Sequence, residues 1–448
     1  MWELPEIDVV DLDWRDATPA QQGIWVLDTD ENLRPTYLLP TVLEFTGAVR
    51  HDLLVEAARS AVGRHPSLRS LFRLDPETRR VQYHTDGPPG EIGFIDAVAD
   101  GWSAEELDGL VDVLCWTPFD LGTEAQVRGE VVRVDDTTTL LVLTMHHISV
   151  DGWSRNLLVD EIMSTYRCLL DGREPVLPES PHPDDVITTL SGKELEDRVA
   201  EAAERLRGAP TVVDLPYDRR PESPSVMGAN IGVRLDEDLT AAVLKVAAEE
   251  GCSPFMTAVA LLAGTLSRTR GQRDVLFQYG WPGREDPATA DAIGMFMITC
   301  VVRVEFDETT TWRELLGCAR IGALESFMDC DVPLDAIATA LNPGRQVIWP
   351  PMSPVLVNVD ELPRELELAP GVTGRHRLSG PVYTKYDLDL FIRVDDDGVT
   401  GPRMALSMDY PLDLFDHKTI EDLLAALRQS AHDLAYSAEE PHVRPADH

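Results

Sequence analysis

Apolar and polar positions recur along the chain with two periods, and the change from one to the other falls near residue 146. Residues 138–145 form an apolar and β-branched run, which is typical of a buried strand. From Leu157 the apolar positions recur three and four residues apart as far as Gly172, which predicts a helix. Two adjacent histidines, His146 and His147, therefore lie where a strand gives way to a helix.

The same periodicities predict the remaining elements of the first half. Strands are expected at 37–46, 68–74, 80–84, 125–134 and 138–146, and helices at 52–63 and 104–115. Gly63 is expected to end its helix as a left-handed cap, and the last two strands to form a hairpin. The pattern indicates an α/β sandwich with the histidines on a central strand.

A proline-rich stretch at 171–185 is typical of a linker, and the elements beyond it loosely repeat the order of the first half. Helices are expected at 194–207, 237–250, 254–268, 311–327 and 417–436, and strands at 230–235, 274–279, 299–305, 355–359, 387–394 and 403–408. The polar tail 438–448 is expected to be disordered. The sequence thus predicts two lobes, 1–175 and 176–448.

Composition narrows the class of protein. The chain has 448 residues, enough for two lobes, and a hydrophobic content of 44% can fill both cores. A formal net charge of -39 argues against nucleic acid or an anionic membrane as a partner, because both need clustered positive charge. The chain has no run of about 18 apolar residues, and its N-terminus is acidic where a signal peptide is basic. These features predict a cytoplasmic protein.

Six scattered cysteines show no metal-binding spacing, so they are interpreted as small buried residues in a reducing compartment. The chain also lacks a nucleophile elbow, a phosphate-binding loop, a dinucleotide glycine pattern and a zinc-protease motif. Covalent serine catalysis, nucleotide chemistry and zinc hydrolysis are therefore disfavoured. Direct acyl transfer, in which a base relieves a nucleophile of its proton, remains.

The pattern H-H-x-x-x-D-G at 146–152 is the strongest chemical signal. Successive strand side chains point to opposite faces, so His146 and His147 cannot readily bind one metal ion. One is expected to face the core and the other a cavity. The alternative interpretation is a buried histidine pair followed by a simple turn.

These residues resemble the core motif of the condensation domains of nonribosomal peptide synthetases, a group similar to chloramphenicol acetyltransferase. Further segments resemble the family in kind and order, and together they cover nearly the whole chain: 18–25, 64–72, 293–296 and 409–415. The resemblance implies two acetyltransferase-like α/β lobes arranged as a V-shaped pseudodimer with the site at their junction. It also implies a carrier protein that delivers an acyl or aminoacyl thioester on phosphopantetheine to an amine or alcohol acceptor, with no bound cofactor or metal.

The resemblance assigns roles within the motif. His147 is the expected proton acceptor, since imidazole with a pKa of about 6.5 is poised for this at neutral pH, and His146 is the inward-facing partner. Asp151 is structural, salt-bridged to either Arg64 or Arg284, because an unpaired buried carboxylate is costly. Gly152 leaves room for a substrate arm, although a simple helix-start turn is an alternative. The backbone amides around Gly152 and Trp153, at the start of the helix, are a candidate source of oxyanion stabilisation.

Other positions depart from the family pattern. Ile298 stands where the family usually has Asn, the stretch 329–334 reads D-C-D-V-P-L in place of H-Q-D-x-P-F, and a further motif is barely visible around Asp184 and Asp185. These changes, and a chain that starts at Met1 without adenylation, carrier or thioesterase regions, predict a free-standing condensation enzyme with a soluble acceptor. The segment Gln22–Trp25 resembles condensation domains that accept starter acyl groups more closely than it resembles elongation types.

Two alternatives stay open. One is an epimerase of the same superfamily, which shares the histidine motif. The other is a non-catalytic domain that recruits carriers or tailoring enzymes. A carrier is usually acidic, so docking onto this acidic chain needs a local basic or apolar patch. Arg79 with Arg80, or Arg219 with Arg220, could supply one, and solvated surface charge is the simpler explanation for each pair.

Overall fold

A computed structural model describes residues 13–177, 180–181, 190–210, 212–222, 225–342, 352–359, 366–377, 380–396 and 401–443. These residues form ten α-helices: α1 Pro19–Asp28, α2 His51–Arg64, α3 Ala104–Trp116, α4 Gly152–Leu170, α5 Gly192–Arg205, α6 Glu237–Glu249, α7 Pro254–Arg270, α8 Trp312–Phe327, α9 Leu334–Leu341 and α10 His417–Tyr436. Their strands are β1 Arg15–Asp16, β2 Leu38–Thr46, β3 Leu71–Leu74, β4 Val81–His84, β5 Glu91–Asp96, β6 Val127–Arg133, β7 Thr138–His146, β8 Met227–Arg234, β9 Asp274–Trp281, β10 Ile298–Glu305, β11 Val355–Val359, β12 Leu366–Ala369, β13 Val372–His376, β14 Val382–Tyr383, β15 Leu388–Asp396 and β16 Pro402–Pro411. The elements expected from periodicity are present with ends within three residues, except that the helix expected from Leu157 begins five residues earlier, at Gly152.

The chain divides into two compact α/β units. The first comprises Met1–Thr188, Arg284–Met297 and Pro363–Gly380, and the second Thr189–Gly283, Ile298–Leu362 and Pro381–His448. This division differs from the expected lobes 1–175 and 176–448 in two later segments that join the first unit. One of them carries the hairpin β12–β13, which pairs with the edge of β2 through Thr373 and Thr46. Hydrogen bonding to a free strand edge accounts for its placement.

The first unit centres on a six-stranded sheet in the order β12-β13-β2-β7-β6-β5. Strand β7 runs antiparallel to both neighbours, and its last residue, His146, is paired with Leu38 of β2. Leu143 and Met145 are fully buried in a core that includes apolar residues of α2 and α4. The histidine motif therefore begins at the end of a central strand, as the periodicity predicted.

The second unit is built on a seven-stranded sheet in the order β10-β9-β11-β15-β16-β8-β14. One large apolar cluster joins its strands to α6, α7, α8 and α10. Within the described residues no single helix is long and apolar enough to span a membrane. Helices α6 and α7 reach that length and apolar composition only when taken together, and they are bent by 103° relative to each other.

Two expectations were wrong in detail. Gly63 does not cap its helix, because α2 continues to Arg64 and Gly63 has no left-handed backbone angles. The tail is ordered as far as residue 443: Arg313 donates its amide to the Ala438 carbonyl, and His442 is buried with a ring nitrogen 2.8 Å from Ser267 Oγ. Ordering this segment costs conformational entropy. The buried hydrogen bonds offset that cost, and the polar composition of the segment did not indicate them. Residues 444–448 lie outside the described residues.

Acid stability should depend on His376, the last residue of β13. Burial, and secondly the charge of Arg155, lowers the pKa of His376 to about 4 from an ordinary value of 6.5. Between these values the unfolded chain binds more protons at this position than the native protein does, so stability falls as pH falls through this window. His376→Gln should therefore lose less unfolding free energy than the wild type between neutral pH and about pH 4.5.

Urea unfolding at both pH values measures this difference. His432→Gln is the matched control, since the His432 side chain is 56% exposed, and it should behave as the wild type. An equal acid loss in the wild type and in His376→Gln would contradict the assignment.

Candidate functional site

The histidine motif forms a short turn between β7 and α4. Asp151 is the N-cap of α4, and its Oδ1 accepts a hydrogen bond from the Ser154 amide at 2.8 Å. This bond satisfies one of the amides that a helix start leaves without an intrahelical acceptor. Capping of α4 therefore explains why the motif has a carboxylate three residues before Ser154.

His146 faces the interior, as expected. Its side chain is fully buried, its Nε2 lies 3.2 Å from Asp28 Oδ1, and its Nδ1 accepts a hydrogen bond from the Ile148 amide at 3.2 Å. Because Nδ1 is an acceptor, the ring proton resides on Nε2 and points to Asp28. The pairing fixes the His146 ring and leaves it no role in direct contact with a substrate.

His147 is held by its backbone. Its amide donates to the Tyr37 carbonyl at 2.8 Å, which continues the hydrogen bonding between β2 and β7 beyond the end of the strand. The residue keeps 7% of its surface exposed, whereas His146 keeps none. Of the two histidines, only His147 retains exposed surface.

Asp151 is held by a buried ion pair with Arg284. Arg284 Nη2 lies 3.1 Å from Asp151 Oδ1, and the two side chains are 5% and 3% exposed. Burial lowers the pKa of Arg284 and the adjacent Asp151 charge opposes this effect. Asp151 Oδ2 also accepts the Phe296 amide at 3.1 Å. The structure therefore selects Arg284 from the two expected partners, since Arg64 binds Glu161 at 2.7 Å.

Two serines that sequence reasoning did not assign complete this network. Ser154 Oγ donates to the Gly294 carbonyl at 2.9 Å and accepts hydrogen bonds from the Gly294 amide and from Arg284. Ser67 Oγ donates to the Ile293 carbonyl at 2.7 Å. Ile293 and Gly294 belong to the stretch 293–296, which resembles a family motif and to which sequence reasoning assigned no role. Its role is to anchor the turn of the histidine motif.

The opening motif contacts the same turn. Thr18 and Gln21 form a capping box at the start of α1, and Gln21 Nε2 donates to the Ile148 carbonyl at 3.1 Å. Backbone groups on both sides of His147 are therefore held by segments distant in sequence. Trp25 of α1 packs against the buried cluster that includes Ile148.

Gly152 is the first residue of α4, and the protein itself does not require a glycine there. A Cβ built on Gly152 meets no atom within 4 Å, and its φ lies outside the left-handed region. Neither packing nor backbone strain explains the absence of a side chain. The space beside Gly152 is left open next to the motif.

The positions that depart from the family pattern have structural roles in the second unit. Asp329 forms an ion pair with Arg205, and Cys330 is buried. Ile298 is the first residue of β10 and is half-buried. Asp184 and Asp185 lie outside the described residues.

The two arginine pairs considered as docking patches are partly neutralised. Arg80 is 2.8 Å from Asp16, and Arg219 is 2.7 Å from Asp416. Arg220 lies over the Tyr217 ring at 4.2 Å. Ion pairing reduces the positive charge that each patch offers to an acidic partner, so a carrier-docking surface at either place stays a prediction.

Comparison with protein families matches the model of the condensation domain to residues 14–444. The chain belongs to the condensation domain family. This condensation domain is 30% identical over 94% of its length to a probable non-canonical nonribosomal peptide synthetase, CymA of Salinispora arenicola. It is also 30% identical over 92% of its length to the phosphinothricin tripeptide synthetase PhsC of Streptomyces viridochromogenes. It spans 6% and 38% of the lengths of these relatives.

Solved structures share its mixed α/β fold. The first condensation domain of the calcium-dependent antibiotic synthetase superposes with a TM-score of 0.78 at 19% identity, covering 96% of this chain and 98% of that one. The X-domain in a complex with OxyB from teicoplanin biosynthesis gives 0.79 at 22% identity, covering 100% and 96%. The SgcC5 protein from Streptomyces globisporus gives 0.73 at 19% identity, covering 95% and 100%.

Proposed function

We propose that this condensation domain transfers an acyl or aminoacyl group from a carrier-protein thioester to an amine or alcohol acceptor. The thioester is delivered on a phosphopantetheine arm, and the product is an amide or an ester. Family membership supports this chemistry in general terms. The observation that carries the proposal is the turn at 146–152, which keeps the complete motif and is held by the buried pair of Asp151 and Arg284.

His147 is the proposed proton acceptor. As the acceptor nitrogen or oxygen attacks the thioester carbonyl, its proton passes to the imidazole, and the same proton leaves with the departing thiol. A positioned base of this kind contributes about 10²–10⁴-fold to rate. His146 and Asp151 are positioning residues, because each has its polar atoms committed to protein partners.

Stabilisation of the developing oxyanion is proposed for the start of α4. The first amides of a helix lack intrahelical acceptors, and the helix dipole places partial positive charge there. A thioester carbonyl beside Gly152 would lie near these amides. Access of the thioester would then explain the open space at Gly152, which protein packing does not explain.

Gly152→Leu should block this space and leave the fold intact. A leucine side chain meets no protein atom close to its Cβ position, and the first turn of a helix tolerates it. We expect transfer from a loaded carrier to fall by about 100-fold or more, because a displacement of about 1 Å at the reacting centre already costs that much. The melting temperature should stay near the wild-type value. Steady-state transfer rates and thermal unfolding measure the two effects.

Gly109→Leu is the matched control. Gly109 lies on an exposed position of α3, and a Cβ there also meets nothing within 4 Å. This variant should transfer at the wild-type rate. Full activity of Gly152→Leu would show that the space beside Gly152 is not used by the substrate.

Intact-mass analysis of loaded carriers with a panel of amines and alcohols tests the proposed reaction. Condensation removes the acyl mass from the carrier and adds it to one acceptor. An epimerase would instead exchange the α-hydrogen of a carrier-bound aminoacyl group with deuterated solvent without forming a new bond. Carrier binding without either change would favour a recruitment domain. The expectation of a free-standing enzyme stays a prediction.

A further inference from the structure

Two cysteines of the second unit lie against each other, away from the histidine motif. Cys300 is on β10 and Cys330 is in the loop between α8 and α9, and their Sγ atoms are 2.9 Å apart. The two residues are 5% and 4% exposed. The Tyr279 hydroxyl lies 3.3 Å from Cys330 Sγ. The sequence had indicated only six scattered, small buried residues, since 30 positions separate this pair.

A cleft gives access to one member of this pair. Its volume is about 370 Å³, and Cys300 is among the residues that line it, together with Arg205, Asp329 and Leu334. A small polar reagent of a few heavy atoms fits such a volume. Cys300 is therefore shielded from large molecules and open to small ones, and Cys330 lies directly behind it.

We propose that Cys300 and Cys330 form a reversible modification site, in which a low-molecular-weight disulfide oxidises the two thiols to an intramolecular disulfide. Cys300 Sγ attacks one sulfur of the small disulfide and releases one small thiol, which takes the Cys300 proton. Cys330 Sγ then attacks Cys300 Sγ and releases the second small thiol with its own proton. Two protein thiols lose two electrons, and one small disulfide gains them.

The geometry needs little adjustment for this bond. A disulfide bond is about 2.05 Å long, so the two sulfur atoms must approach by about 0.9 Å. Cys330 lies in the turn that follows α8, next to Asp329, whose carboxylate binds Arg205 of α5. The bond would tie the edge strand β10 to this connection and, through Asp329, to α5.

Burial of Cys300 controls the rate of the oxidation. Burial raises the pKa of the Cys300 thiol well above its ordinary value, and the thiolate is the attacking species. Oxidation should therefore be slow at neutral pH and faster as pH rises. The pair also stands apart from the family pattern, because Cys330 occupies the position of Gln in the stretch that resembles H-Q-D-x-P-F. This inference does not depend on the proposed acyl transfer.

The test uses the full chain and 2-hydroxyethyl disulfide as the oxidant. A proteolytic digest should contain the Cys300 peptide linked to the Cys330 peptide, and any mixed disulfides with the reagent should lie at the half-buried Cys168, Cys252 and Cys318. The melting temperature should rise by about 5–10 °C, because the bond closes a loop of about 30 residues in the unfolded chain. Dithiothreitol should restore six thiols and the original melting temperature.

Variants separate this pair from the other cysteines. Cys300→Ser and Cys330→Ser should each abolish the cross-linked peptide and the stabilisation. Cys318→Ser changes a third cysteine that lines the same cleft, and it should retain both. Failure to find the cross-linked peptide after prolonged oxidation, a reaction that stops at a mixed disulfide on Cys300, or a cross-link that includes Cys318 would each overturn the proposal.

Discussion

Replacing His147 with alanine should lower the turnover number for acyl transfer by about 10²–10⁴-fold, the range that a positioned acid or base contributes. The variant removes the imidazole, while the His147 amide keeps its bond to the Tyr37 carbonyl. Binding of the loaded carrier should change little, because the lost group acts on the proton of the acceptor. The effect should therefore appear in kcat more than in KM.

Steady-state kinetics with a loaded carrier and its acceptor measure this effect. His432→Ala is a control for the loss of an imidazole, since His432 is an exposed residue of α10. It should keep the wild-type rate, and all three proteins should unfold at similar temperatures. Undiminished turnover of His147→Ala would remove His147 from the mechanism.

Replacing Asp151 with asparagine should lower the free energy of unfolding by about 3–5 kcal/mol, because it leaves the Arg284 charge buried without its partner. Both side chains are at most 5% exposed, so water cannot replace the lost carboxylate. Soluble yield should fall accordingly. The double variant Asp151→Asn with Arg284→Met should be more stable than Asp151→Asn alone, since it removes the unpaired charge.

Asp16→Asn provides a surface comparison. Its carboxylate pairs with Arg80 at 2.8 Å, but the two side chains are 45% and 62% exposed, and breaking such a pair costs about 1 kcal/mol or less. Urea unfolding of the wild type and the variants measures the contrast. Wild-type stability of Asp151→Asn with lost activity would contradict a structural role and favour direct participation of the carboxylate.

The local sequence pattern was sufficient to predict most helices and strands and to locate the histidine motif at 146–152. Residues 138–145 are apolar or β-branched throughout because β7 is buried on both faces. Strand geometry predicted that His146 and His147 face opposite sides, which needs only interactions between residues close in sequence. The resemblance to the family, and not the geometry, assigned a role to each histidine.

Long-range contacts were not accessible in this way. Asp151 and Arg284 are 133 residues apart, and Arg64 was an equally reasonable partner until the structure placed it against Glu161. The hairpin β12–β13 joins the first unit through backbone hydrogen bonds to β2, which leave no mark in side-chain periodicity. The anchoring role of Ser154 arises from two contacts with Gly294 that no local spacing indicates.

The most direct test of the central claim is a single-turnover experiment with excess enzyme, a carrier bearing one acyl thioester, and an acceptor that the carrier screen has identified. Intact-mass analysis should show the carrier losing the acyl mass as the acceptor gains it, with wild-type transfer about 10²–10⁴ times faster than transfer by His147→Ala. Equal rates for the two proteins, or an acyl group that stays on the carrier in both, would contradict the account.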